Sequence, residues 1–329
     1  MTLNENNWLA PVDCKVPDFI ICGAMKCGTT TLHAILNQHP DVFIPSKEVN
    51  FFDLDDVFQH PDFNLYLDQK WMYQDLESDP KKYWYWYSTR FEGAEARQTI
   101  GEDSTTYIAS EKALQRISQQ NKKIKLIVML RNPVSRAYSH YWHLLRTGRA
   151  THTFEETLQY NPYSILNRSM YVQQIETLYK YLPKEQVKVI VFEDFISDVK
   201  TEMKDICSFL EIDHTRLTKS ALELHENIAR TPKFPGLQIL KNRYIPSLGY
   251  QQYQNHFDSS PIVKSKKISI VNIIEFLHRQ LNPLLARKPP VMKKETKDYL
   301  ENLFKKELKD LDNILEKRIL FKWFKNNSF

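Results

Sequence analysis

Glycine is scarce here, with 7 in 329 residues, where average usage of about 7% would give roughly 23. No glycine-rich or other low-complexity linker divides the chain, and each glycine it keeps is more informative than usual. Cysteine is scarcer still. Cys14, Cys22, Cys27 and Cys207 form no CxxC pair and no disulfide-rich pattern, so free thiols in a reducing compartment are the simplest reading. Long apolar runs are missing: nothing approaches the roughly 18 residues a membrane span needs. The N-terminal stretch MTLNENNWLAPVDCK is polar and lacks the basic-then-apolar layout of a signal peptide. A cytoplasmic protein without a membrane span is expected. Excess charge is small as well. A net +5 suits an anionic ligand but is too weak to argue for nucleic acid.

What remains is ordinary globular composition, enough for one large α/β domain or two small ones. Pro17–Cys22 reads as a short buried strand, Gly23–Gly28 as a turn, and Thr29–Gln38 as a helix with Leu32, Ile35 and Leu36 on one face. His39-Pro40 ends that helix. Further strands are predicted at Asp41–Pro45, Thr99–Glu102, Lys123–Leu130 and Val187–Phe192, with helices at Glu111–Gln119, 133–147, Ser169–Leu182 and Ser197–Leu210. Asn132 can cap the helix after KIKLIVML, and Pro133 suits its first position. Between Asp53 and Phe91 the chain is rich in aromatics, Tyr83 to Tyr87 above all, read first as packing and second as an apolar wall for a small acceptor. The last third is mostly helical, with basic patches at Lys264-Ser265-Lys266-Lys267 and Lys293-Lys294. Strands alternating with helices, without internal repeats, predict one α/β domain over residues 1–329: a P-loop-like parallel β-sheet flanked by helices, with a mostly helical C-terminal part.

Two of the seven glycines, Gly23 and Gly28, sit five apart in GAMKCGTTT, residues 23–31. A strand precedes this turn and a helix follows it, the setting an anion-binding loop requires. Backbone N–H groups and the helix N-terminus offer partial positive charge there. Against the Walker pattern G-x4-G-K-[ST] both glycines and Thr30 fit, but Thr29 stands in the lysine's place and Lys26 lies inside the loop. A nucleoside-triphosphate enzyme needs that lysine on its β- and γ-phosphates and a carboxylate-supported Mg²⁺, whereas the strand 123–130 leads into Arg131. Cys27 offers a thiol where a helix N-terminus can lower its pKa. A C-x5-R phosphatase would need arginine at position 33, which is His33.

A second anion site is suggested by RNPVSRAYSHYW, in which Arg131 can fork onto a phosphate and Ser139 can add a hydroxyl. With GAMKCGTTT this segment resembles the sulfotransferase superfamily that uses 3′-phosphoadenosine 5′-phosphosulfate (PAPS), nearer its heparan-sulfate-type and bacterial branches. The resemblance covers most of the chain. KEVNFF at 47–52, GEDSTTY at 101–107, Ser169-Met170-Tyr171, the strand ending Phe192-Glu193-Asp194, and the final helix closing on Trp323 also fit. It implies that Lys26, Cys27, Gly28, Thr29, Thr30 and Thr31 hold the 5′-phosphosulfate and that Arg131 and Ser139 hold the 3′-phosphate. Tyr171 and the late basic loop Arg230-Thr231-Pro232-Lys233 join the donor site. The chain departs from the family in carrying Cys27 and Ser169 where glycine is common. Asp103 and Asn50 stand where heparan-sulfate enzymes have lysine and often histidine, which weakens any carry-over of glycosaminoglycan specificity.

Sulfonate transfer requires in-line alignment, charge stabilisation on the leaving oxygen and removal of the acceptor's proton. Lys26 suits the leaving side and Glu48 is the base the resemblance supports, with Glu102 and Asp103 as rivals and a salt bridge to Lys47 or another basic residue as the plain alternative for Glu48. His33, His140 and His143 are read as structural, the last two at most as part of an acceptor wall; no metal is expected. The acceptor is a small-molecule or carbohydrate hydroxyl or amine. Two other classes stay open: a P-loop kinase or NTPase, and a non-catalytic nucleotide- or polyanion-binding protein.

Overall fold

In a computed structural model, residues 8–67, 69–224, 229–245 and 270–324 are described; the basic stretch at 264–267 lies outside them. Five parallel strands make the central sheet: β1 (Phe19–Gly23), β2 (Val42–Phe43), β3 (Thr99–Asp103), β4 (Lys125–Leu130) and β5 (Val187–Val191), in the order β2-β3-β1-β4-β5. Every residue of β1 is buried, and so is β4 after Lys125. That is why both read as unbroken apolar runs, the mark of a strand covered on both faces. Phe19 lies opposite Gly101 on one side and Lys125 on the other. The chain runs from β1 through β2 to β3, then crosses to β4 and β5, so a crevice opens beside β1 at the strands' carboxyl ends.

Helices α1 (Thr29–Leu36), α2 (Pro80–Thr89), α3 (Glu111–Ser118), α4 (Pro133–Arg146), α5 (Tyr171–Tyr181), α6 (Phe192–Ser197) and α7 (Val199–Leu210) follow the strands or cover them. Ser110 caps α3 by accepting from Ala113 N at 3.3 Å, and Asn132 caps α4 by accepting from Ser135 N at 3.0 Å. The expected helix 197–210 begins later because α6 forms directly off β5 and Asp198 caps α7 on Thr201 N. The C-terminal third is helical at Pro235–Tyr244, Ile270–Leu281, Lys294–Glu307, Leu311–Leu315 and Leu320–Trp323. It also holds an antiparallel pair, β6 (Arg230–Pro232) with β7 (Leu284–Ala286). The segment read as a loop at 230–233 is therefore mainly strand; three residues with a proline give no alternation to read.

The aromatic segment resolves as packing. Tyr83–Tyr87 lie on α2, with Trp84 and Tyr87 buried and Tyr85 on the outer surface. Phe51 stacks on Tyr87 at 4.3 Å and meets Trp84 edge-on at 4.8 Å. The idea that these rings form an acceptor wall is corrected: none of residues 83–87 lines a cavity described below. Phe51 has no exposed surface, so Phe51→Ala is expected to cost about 3–5 kcal/mol, read from denaturant midpoints. A loss under about 1 kcal/mol would show that the cluster does not anchor this side of the fold.

Candidate active site

The turn between β1 and α1 sits where the parallel strands end. Gly28 has φ 92° and opens α1. A Cβ built there would meet the Phe192 ring at 2.6 Å, so both the backbone and its neighbour demand glycine. The N–H groups of Thr29 and Thr30 open α1 at the crevice, with the helix's positive end behind them. Lys26 holds a left-handed φ of 70° and lines the cleft. Burial, then the Arg146 and Arg131 charges, draw its pKa down to about 8, with Glu48 pulling the other way.

Arg131, just past β4, donates from Nη1 to the Lys26 carbonyl at 3.1 Å and lies 4.8 Å from the Phe192 ring centre. The Tyr171 hydroxyl donates to the Arg131 carbonyl at 2.9 Å and lies 3.8 Å from Cys27 Sγ. The two suspected anion loops are thereby tied to each other. Lys26, Arg131 and Ser139 line both a cleft of 870 Å³ and an adjoining one of 770 Å³, whose far wall carries Arg230, Arg287 and Lys288. Gly28, Thr29, Thr30 and Thr31 line the larger one. Cys27 and Tyr171 are fully buried and stand behind the turn. Burial raises the Cys27 thiol to about 11, opposite to the drop a helix N-terminus would favour. Lys233 lines none of the cavities and leans on Phe234 at 5.1 Å.

Of the three candidate bases, the cleft wall carries Glu48. It accepts from Thr105 Oγ1 at 3.2 Å. Crowding by protein atoms, then the nearby Asp103 carboxylate, push its carboxyl up to about 7 against the Thr105 hydrogen bond and the Arg168 charge, although the residue as a whole is exposed at the cleft. Among the described residues it makes no salt bridge to Lys47. Glu102, on β3, is fully buried, accepting from Ser104 Oγ and Tyr107 OH at 2.6 Å each and from Tyr87 OH; burial lifts it to about 7. Asp103 is buried against His33 Nδ1 at 3.2 Å, and burial raises its pKa.

The same cleft gathers residues that no motif announced. Arg168 donates to the Gln59 carbonyl at 3.1 Å, and burial lowers it to about 10. His60 pairs with fully buried Asp53 at 2.7 Å. Arg149 pairs with Asp62, and Arg146 Nη2 lies 3.2 Å from His143 Nδ1. His140 and His143 line the wall, as allowed for. Burial and surrounding cations depress both, His143 to about 3, so both are neutral at pH 7. Glu193 accepts from Asn132 N and from Trp323 Nε1, each at 2.9 Å, and Asp194 pairs with Lys322, which makes both acids structural. Among the described residues no group of three or more His, Cys, Asp or Glu is placed to hold a metal ion. None of the described helices is long and apolar enough to cross a membrane.

Comparison with known proteins bears on family and fold. The model of the sulfotransferase domain matches residues 16–289. Human heparan sulfate glucosamine 3-O-sulfotransferase 5 is 28% identical over 209 residues, 60% of this chain and 54% of the relative. Mouse heparan sulfate glucosamine 3-O-sulfotransferase 3B1 is 27% identical over 232 residues, 68% and 52% of the two chains. The chain thus spans about half the length of the curated relatives it matches. Among solved structures, a sulfotransferase from Alicyclobacillus acidocaldarius superposes with a TM-score of 0.59 at 23% identity, covering 94% of this chain and 99% of that one. The last likeness shows the same α/β fold.

Proposed function

Because the chain belongs to the sulfotransferase family, we propose that it moves a sulfonate group from PAPS to a hydroxyl or amine of an acceptor. The observation that carries this reading is the contact between the two anion loops, Arg131 Nη1 on the Lys26 carbonyl, with Glu48 on the wall of the same cleft. The turn 23–31 takes the 5′-phosphosulfate, and Arg131 with Ser139 takes the 3′-phosphate. Lys26 stabilises the charge that develops on the leaving phosphate, and Glu48 accepts the acceptor's proton. Lys26, Arg131, Arg146 and Arg168 supply positive charge from the protein, and in this reading the transfer is in-line and uses no metal.

On the acceptor side the wall is Glu48, Gln59, His60, Asp62, Arg149, Asn161 and Arg168. Its hydrogen-bonding groups suit a hydroxyl-bearing acceptor such as a sugar, and Val57, Phe58 and Phe63 on the same wall offer apolar surface beside them. The test is direct. 3′-Phosphoadenosine 5′-phosphate (PAP) should raise the melting temperature of the full chain, and label should pass from PAPS to members of a sugar and small-molecule panel. Stabilisation by Mg·ATP, with no response to PAP or PAPS, would sink the proposal.

A further inference from the structure

Arg136 lies on the first turn of α4 with none of its surface exposed. Its Nε donates to Ser169 Oγ and one terminal nitrogen to the Ile165 carbonyl, both neutral acceptors; the other, Nη1, has no hydrogen-bond partner among the described residues. Its electrostatic neighbours are the Tyr171 hydroxyl, the Cys27 thiol and the Arg131 guanidinium. None of these is an anion at neutral pH. A buried charge that lacks a counter-charge is costly, and native proteins pair it or bring something to pair it. The arginine sits behind Cys27, on the inner side of the turn that faces the crevice. Glu193, whose charge reaches Cys27, is already engaged by Asn132 N and Trp323 Nε1.

We propose that Arg136 is a positioning residue for the donor, its charge completed by the nucleotide's phosphates across the backbone of the turn 23–31. The inference rests on the donor reading above. Arg136 touches no ligand; it adds a fixed positive field beneath the anion site, where a low dielectric lets a charge several ångströms away still act. The free protein thus holds an unpaired charge that binding neutralises. The same arginine, through Ser169 Oγ and its bond to the Pro133 carbonyl at 3.2 Å, braces the start of the helix that presents Ser139.

The test compares Arg136→Met with Arg136→Lys in the full chain, reading PAP affinity by calorimetry and melting temperature with and without PAP. Arg136→Met removes the charge and keeps most of the volume. Its free protein should melt no lower than the wild type, while its PAP affinity falls about tenfold, on the order of one charge acting through protein at an effective dielectric of about 20. Arg136→Lys keeps the charge and loses the forked hydrogen bonds; its PAP affinity should stay within about threefold of wild type. Equal PAP affinity in wild type and Arg136→Met overturns the proposal. If Arg136→Met does not fold, a tenfold loss in Arg136→Lys overturns it in favour of a purely structural brace, and retention supports it. Wild-type protein that binds no PAP defeats the donor reading instead, a separate result.

Discussion

Lys26→Met should lower kcat for sulfonate transfer by about 10²–10³-fold while weakening PAP binding far less. The reason lies in when the charge is needed. In the proposed reading a bound phosphosulfate already has partners in the turn's N–H groups, while Arg131 and Ser139 hold the 3′-phosphate. The leaving phosphate gains negative charge only as the S–O bond breaks, and a cation fixed beside it acts mainly on the transition state. Methionine keeps the length of the side chain at a residue whose φ of 70° tolerates few changes. The charge and its N–H donors are then deleted while most of the side chain's bulk is kept. Parallel measurement of kcat and of PAP affinity separates the two roles. A loss under about tenfold in kcat would remove Lys26 from the leaving side.

Glu48→Gln should bind PAP as the wild type does and transfer about 10²–10⁴-fold more slowly, the span that general-base catalysis covers. Its pH signature is the sharper check. As a base Glu48 must be ionised, and with its carboxyl pushed up to about 7, kcat/KM should climb as pH rises through that value. Lys26 must be protonated, and with its pKa drawn down to about 8, kcat/KM should fall as pH rises through about 8. The free enzyme therefore shows a narrow optimum between these limits. Glu48→Gln loses the acidic limb, and Lys26→Met loses the alkaline one. Saturation with the anionic donor favours protonated Lys26, so the alkaline limb should move upward in kcat. A Glu48→Gln enzyme at the wild-type rate would remove Glu48 as the base.

The parts of the molecule legible from sequence are those where local chemistry and burial agree. β1 and β4 were unbroken apolar runs because both faces are covered. The turn announced itself through two glycines in a glycine-poor chain, and α4 through Asn132 and Pro133. Glu48 could not be separated from Glu102 and Asp103 by sequence, since all three are acids beside strand or turn. Burial separates them, by giving Glu102 three hydroxyl donors and Asp103 a histidine. Arg146, Arg149, Arg168 and His60 were invisible as a group because they come from separate elements and converge only in three dimensions. Arg136 stood inside the quoted RNPVSRAYSHYW, yet nothing in its neighbours said it would be buried. Tyr171 was legible as part of a motif, but its place behind the turn, holding Arg131 by a carbonyl, depends on how α5 packs.

The bond from Arg131 to the Lys26 carbonyl has one more consequence. It sets the gap between the two anion loops, and Tyr171 holds that gap from behind. In the proposed reading the protein therefore gauges its nucleotide. A molecule phosphorylated at both the 3′ and 5′ positions of its ribose bridges the two grips at once. ATP or ADP, with every phosphate on the 5′ side, reaches one grip and leaves the other open. Discrimination against the cell's abundant adenine nucleotides then comes from the spacing of two loops, with no group needed to recognise the sulfonate itself.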